Sequence, residues 1–444
     1  MKRRSFLTTA VAGAAVSTTG CTTPGPSLPR NAPLSNDYSL LWNSPQPANI
    51  QSGKPLLAVL PSGRLVAGHN ISQRGKDYYN FREDDWGMWR NKLYYSDDRG
   101  QNWNHTADHP VTNGRLIFNG DDIYLFGGAD GMQVMRSQDQ GESWTGPYAI
   151  IPDGIWYNEP TNHLFSNGHV FLVMNKITRQ LRPATRGTYA PVVFSARVGD
   201  DWTQPDAWTK SNIYTFDDAI AEHGSAAMVG IPFYPYGFHA ASGGDRRPMY
   251  KIGWWEPNIV QISDPEHLWY DPDGRTFHIF QRAPVGKTNI AALCKATVAD
   301  DGAIKVSLQL APSGESMLFV PFPGGHGMFN IQYDSESKLY WLLSQQSYDS
   351  MKKIELFNPK RWNLGHHERH RFALHFSKNC VDWCFAGLLA NTEDVGQSRH
   401  CASFVFDGSD LHWLSRSAGP QAKNAHDADM ITFHTVHNFR DLVY

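Results

Sequence analysis

The chain has 444 residues, 41% hydrophobic and 19% charged, with a formal net charge of -3. That length can bury a sizeable core, and the charge balance leaves no broad basic field to hold nucleic acid. Five cysteines are too few for a disulfide framework, and Cys380 and Cys384 lack further ligands at zinc spacing.

The first predicted element is an address. Lys2, Arg3 and Arg4 precede Phe6 and Leu7, and residues 8–16 form a short apolar run. The run is too short to span a bilayer, and the paired arginines have the spacing of a twin-arginine export signal. Thr18-Thr19-Gly20-Cys21 is similar to a lipobox, so residues 1–22 are expected to be a signal with Cys21 as the lipidated residue. Residues 23–44 are rich in Pro, Ser and Asn and read as a linker. The mature protein is therefore expected outside the cytoplasm, in the periplasm or at the cell surface, touching a membrane only through an N-terminal lipid.

From residue 45 onward, short apolar runs alternate with Gly, Asp, Asn and Pro. Leu56–Leu60, Arg64–Ala67, Arg115–Phe118, Ile123–Phe126 and Val170–Met174 read as strands joined by turns. Few windows keep a helical period, so an all-β fold is expected. Its 15 Trp, 18 Tyr and 23 Phe suit strands, and some suit a sugar site.

One octet recurs. Ser96 to Trp103 and Ser137 to Trp144 both fit SxDxGxxW behind a strand, and Ser195–Trp202 and Ser377–Trp383 are degraded copies. Ser and Asp bind turn amides, Gly supplies a positive φ, and Trp folds back on its own sheet. These octets resemble the Asp boxes, or BNR repeats, of the sialidase superfamily. The resemblance implies a six-bladed β-propeller over residues 45–444.

It also implies a site. Retaining sialidases hold the substrate carboxylate with three arginines, activate a Tyr nucleophile with a Glu, and use an Asp as general acid. Guanidinium forks match a planar carboxylate, and a phenol attacks an anionic sugar with less repulsion than a carboxylate would. The stretch 254–261 (WWEPNIVQ) resembles the segment carrying the activating Glu, at Glu256; 277–282 (FHIFQR) resembles the strand ending in the second arginine, at Arg282. Arg371 stands where the third is expected, with Arg369 as its alternative. Lys54 stands in place of the first arginine. The window for the nucleophile, 398–404, reads SRHCASF and holds no tyrosine. Asp84 and Asp85, in the polar stretch 69–90, are the candidate acids. His69, directly after a strand, and His326, between glycines, complete the catalytic candidates.

The expected function is release of a terminal acidic sugar, sialic acid or a relative, from an oligosaccharide or glycoconjugate. The alternatives are a polysaccharide lyase that eliminates across a uronic acid using His and Tyr, and a propeller that binds glycans without catalysis. No cofactor or metal motif is present.

Overall fold

The computed structural model describes residues 32–73, 90–128, 130–157, 161–179, 187–223, 253–283, 289–349, 352, 356, 358, 360 and 368–444. Pro33–Tyr444 form one unit. After β1 (Ser39–Asn43), the strands β2 (Ile50–Val59), β3 (Leu65–Gln73), β4 (Arg90–Ser96) and β5 (Asn104–His109) pair in order as one antiparallel sheet. Next come β6 (Arg115–Asn119), β7 (Asp122–Gly127), β8 (Asp130–Ser137), β9 (Thr145–Tyr157), β10 (His163–Ser166), β11 (His169–Ile177), β12 (Tyr189–Arg197) and β13 (Trp208–Lys210), followed by the helix α1 (Phe216–His223). A further sheet contains β14 (Trp255–Val260), β15 (Thr276–Arg282), β16 (Ile290–Val298) and β17 (Ile304–Ser307). The short β18 (Gln309–Leu310) and β19 (Ser316–Met317) form a hairpin, and β20 (Phe319–Pro321) adds to β16. The strands β21 (Asn330–Asp334), β22 (Leu339–Gln345), β23 (Arg371–Ser377) and β24 (Cys384–Asn391) form another sheet. The last is β25 (Ser398–Asp407), β26 (Asp410–Ala418) and β27 (Met430–Val436), with β1 on its outer edge.

The apolar faces of these sheets pack on one another in sequence. Leu56 and Leu93 of the first sheet meet Leu116 and Leu125 of the next, and Phe171 meets Phe277 across the following interface at 4.4 Å. Phe280 and Val260 pack with Ile331 and Leu342, and Trp341 and Phe372 with Phe404 and Trp413. The ring closes where Leu414 and Phe433 of the last sheet pack with Leu57 and Leu65 of the first. The result is an all-β propeller arrangement. β1 lies in the stretch expected to be linker. It belongs to the closing sheet instead, because Trp413 Nε1 donates to Ser35 Oγ at 3.0 Å and His434 bonds the Ser35 carbonyl at 2.8 Å.

The expected six separate blades do not appear as six sheets. Four sheets of four or five strands stand alone, while β6 to β13 form one continuous sheet of eight. The cause is β9, which runs for 13 residues and pairs with β8 along most of its length and with β11 through Ile155, Trp156 and Tyr157. Among the described residues no helix is long and apolar enough to cross a membrane.

The recurring octets are local clamps. In the first, Ser96 Oγ donates to Asp98 Oδ1 at 2.8 Å and accepts from Gly100 N at 2.9 Å, while Asn102 N donates to Asp98 Oδ1 at 2.9 Å. Ser137, Asp139, Gly141 and Ser143 repeat this at 2.8, 2.9 and 2.8 Å. In the fourth copy Asn379 Oδ1 takes the Asp role, accepting from Ser377 Oγ at 3.1 Å and Asp382 N at 2.8 Å. The third copy keeps mainly its Trp202, fully buried with Nε1 donating to the Arg197 carbonyl at 2.9 Å.

Candidate active site

The strands β6, β2, β25, β21, β14 and β10 pack side by side in that order and border a shared hub. Three of them carry a bulge where they face it. Pairing of β2 with β3 slips between Ser52 and Pro55, that of β14 with β15 between Trp255 and Asn258, and that of β25 with β26 between His400 and Ser403. A bulge re-aims side chains that a regular pleat would alternate. It is how Lys54 and Glu256 come to meet at 3.1 Å, and how His400 comes under the charges of Arg369, Arg416 and Arg282.

Gly53 makes the first bulge possible. A Cβ there would lie 1.9 Å from Asn70 Oδ1, the atom that accepts the Lys54 amide at 2.7 Å. Glu256 has φ +58°, a left-handed conformation that costs a non-glycine residue about 1–2 kcal/mol. Asn258 braces this turn: its Nδ2 donates to the Phe329 carbonyl at 3.2 Å and its Oδ1 accepts from Ile331 N at 3.0 Å.

The Glu256 side chain is 2% exposed and is gripped from two sheets. Lys54 Nζ donates to Oε1 at 3.1 Å, and Arg282 Nη1 lies 3.3 and 3.2 Å from Oε1 and Oε2. Arg282 is fixed in turn, with Nε donating to the His326 carbonyl at 2.8 Å and its guanidinium 4.5 Å from the Trp255 ring centre. Burial alone would keep the Glu256 carboxyl protonated. The Arg282 and Lys54 charges outweigh it and hold the group below its usual range, so Glu256 is ionised at neutral pH. Lys54 Nζ also donates to Tyr157 Oη at 3.3 Å, bringing a phenol from the end of β9 into the hub.

The two candidates for the third arginine lie in different surroundings. Arg371 lies at the strand start, ion-paired with Glu368 and 3.9 Å above the Tyr348 ring. Arg369, just before β23, is the one whose charge meets Arg282, Arg416 and Glu256. Its carbonyl accepts the Arg399 amide at 3.2 Å, which docks it on β25. Burial first, then repulsion from Arg282 and Arg416, lowers the Arg369 pKa to about 10, so it stays charged at neutral pH.

Facing it, His400 on β25 is the register partner of Arg416 on β26. The His400 ring stacks on His426, centres 6.2 Å apart. Burial, followed by the charges of Arg369 and Arg416, holds His400 well below its ordinary pKa, so the imidazole is neutral. Sequence reasoning missed Arg416 and His400. The signal was present: Arg416 is the one cation in the apolar and small-residue strand LHWLSRSA, buried along its whole length.

Other expectations separate from the hub. His69 is fully buried on β3 between Trp42, 4.9 Å away, and Tyr94, 5.9 Å away, and burial lowers its pKa to about 3. It is a wall residue, because the pleat of β3 turns it between sheets. His326 contributes its backbone to Arg282, while its Nε2 sits 3.3 Å from Ser347 Oγ. Asp84, Asp85 and Cys21 lie outside the described residues.

No protein-family model matches the chain, and no curated protein matches it in sequence. Among solved structures it is similar to a protein of unknown function from Dyadobacter fermentans, at 13% identity over 91% of this chain and 98% of that one, TM-score 0.52. It is also similar to Trypanosoma rangeli sialidase in complex with sialic acid, at 12% identity over 93% of this chain, TM-score 0.51; the match covers 60% of the sialidase's length. An α-L-arabinanase of Penicillium chrysogenum complexed with arabinobiose matches at 12% identity over 93% of this chain and 100% of that one, TM-score 0.47. The first two likenesses concern the fold, which is that of sialidase-like propellers.

Proposed function

We propose that this chain is an exported glycoside hydrolase that releases a terminal acidic sugar from glycans. The observation that carries the reading is a buried group of charges: Lys54 and Arg282 hold the Glu256 carboxylate, and the buried Arg369 feels the charges of Arg282, Arg416 and Glu256. Nearly dry cations are costly unless an anion meets them, and Glu256 answers two of them. A substrate anion answers the rest.

In this reading the glycosidic C–O bond breaks, the leaving oxygen takes a proton, and water adds to the anomeric carbon and loses one. Glu256, ionised, serves as the fixed negative charge beside the developing positive sugar and activates the attacking group. Asp84 or Asp85 supplies the proton to the leaving oxygen. Tyr157, bonded to Lys54, stands in for the tyrosine absent from 398–404.

The same Tyr157–Lys54 pair favours a second reading, elimination across a uronate by a lyase, with the phenol taking the proton next to the carboxyl. Digestion of acidic oligosaccharides in heavy-oxygen water separates the two. Hydrolysis places one heavy oxygen in the released sugar; elimination gives an unsaturated product without it. A protein that binds these glycans and releases nothing would leave the third reading, a binding propeller.

A further inference from the structure

A second hollow lies at the far end of the strands that carry the hub. Lys54 and His400 stand near the starts of β2 and β25, whereas the turns after Val59 and Phe406 lie at their other ends. The run from Lys54 to Val59 alone covers about 16 Å, at about 3.3 Å per residue. There Ser62, Arg64, Asp97, Arg99, Gln140 and Asp407 line a cleft of about 430 Å³. That volume lies in the range of small-ligand pockets.

Two of the octets supply its walls. Arg99 and Gln140 hold the same octet position, the fourth, with φ +57° and +59°. In the fourth octet that position is Cys380, with φ +59° and only 1% exposed. The turn therefore forms without a polar side chain there. Arg99 and Gln140 are exposed beside the cleft and are not needed to make their turns.

One side of the cleft is already satisfied. Arg64 Nε and Nη2 donate to Asp97 at 2.6 and 3.0 Å, and Nη1 donates to Glu142 Oε1 at 2.8 Å. Its guanidinium lies 4.2 Å from the Tyr95 ring centre, so it is a fixed wall. The other groups keep capacity. Arg99 makes no hydrogen bond or ion pair among the described residues. Gln140 Oε1 accepts from Ser62 Oγ at 3.1 Å, which leaves the Gln140 amide hydrogens and the Ser62 lone pairs. Asp407 has one side-chain contact among the described residues, Oδ2 to His412 Nε2 at 3.4 Å. Donors on Arg99 and Gln140 thus share a cleft with acceptors on Asp407 and Ser62. A hydroxyl donates and accepts at once, so neighbouring hydroxyls match such a set. An inorganic anion meets Asp97 and Asp407 as like charges, and the lining holds no aromatic ring for an apolar ligand.

We propose that this cleft is a second saccharide site, which takes neutral sugar units of a glycan through their hydroxyls. It lies at the opposite end of β2 and β25 from the hub, and it stands whether or not the hub is catalytic. It gives the protein a hold on the neutral part of a glycan that does not compete with the hub.

The test is titration of the full chain with cellobiose, lactose and maltose, set against glycine as a zwitterion and sulfate as an anion, by calorimetry and ligand-observed NMR. At least one disaccharide is expected to bind at millimolar concentration. Arg99→Asn and Asp407→Asn are each expected to weaken it about fivefold or more. Asparagine tolerates the left-handed backbone at 99, and Asp407→Asn keeps the side chain's shape, so both variants are expected to melt with the wild type. Binding of none of the three disaccharides, or unchanged affinity in either variant, would overturn the proposal. Glycine or sulfate bound as tightly as every disaccharide would overturn the assignment to hydroxyls. Disaccharide binding that the two variants weaken, in a protein that turns over no acidic glycoside, would uphold the cleft and remove the hydrolase.

Discussion

Lys54 and Glu256, 202 residues apart, meet at 3.1 Å across the hub, one on β2 and the other on β14. Both sit in bulges, so a contact between two sheets depends on two local backbone irregularities. The energetic consequences of that pair can be measured.

Glu256→Gln keeps the shape and removes the charge. It leaves Lys54 and Arg282 buried without their anion, and breaking such an arrangement costs about 3–5 kcal/mol. Lys54→Met leaves Arg282 on Glu256 and should cost less. Urea unfolding of both variants checks the order; equal losses would show that Lys54 carries as much of the load as Glu256.

Gly53→Ala forces a methyl into Asn70 Oδ1 and breaks its bond to the Lys54 amide. Asn70 is buried and short, so it cannot swing aside. A loss of about 2 kcal/mol is expected, and Lys54 should move off Glu256. The check is denaturant unfolding together with a crystal structure of the variant.

Acid should destabilise the protein well before its carboxylates titrate. Burial lowers His69 and His434 to about 3 and His109, His278 and His375 to about 4. In the unfolded chain histidines take up protons near pH 6.5. Between about 6.5 and 3 the unfolded state therefore binds more protons, and stability falls as pH falls through that window. Thermal melts from neutral pH downward check this; a melting temperature that is flat to pH 4 would contradict it.

Ser137→Ala leaves the amide of Gly141 without the hydroxyl it donates to at 2.9 Å. A buried amide left unsatisfied costs about 1–3 kcal/mol. The turn lies away from the hub, so turnover at a temperature where the variant is folded should equal wild type. Reduced turnover by folded protein would give the octet a role this account does not.

The local parts of this fold were legible in the sequence. The strand runs ending at Phe126 and at Arg282 fall on β7 and β15, and the SxDxGxxW octets make the bonds their residue types dictate. Glu256, Arg282 and Lys54 could be named beforehand because the resemblance marks their strand positions, and the structure brings the three into contact. Arg369 against Arg371 was not decidable, because the choice depends on the Arg369 carbonyl docking on Arg399, a contact between sheets. His400 was hidden by a bulge: a regular strand predicts alternation, whereas the slip after His400, with Cys401 at φ +49°, resets which side chains face inward. The eight-stranded sheet was hidden by Pro152-Asp153-Gly154, which reads as a turn between strands but lies inside the 13-residue β9, with Gly154 at φ +84°.

The most direct test is release of fluorophore from matched glycosides of sialic acid, glucuronic acid, arabinose and galactose by purified wild type and Glu256→Gln. Turnover is expected on at least one acidic glycoside, with little on the neutral ones and a loss of about a hundredfold or more in the variant. Turnover confined to neutral glycosides, or equal rates in the two proteins, would contradict it.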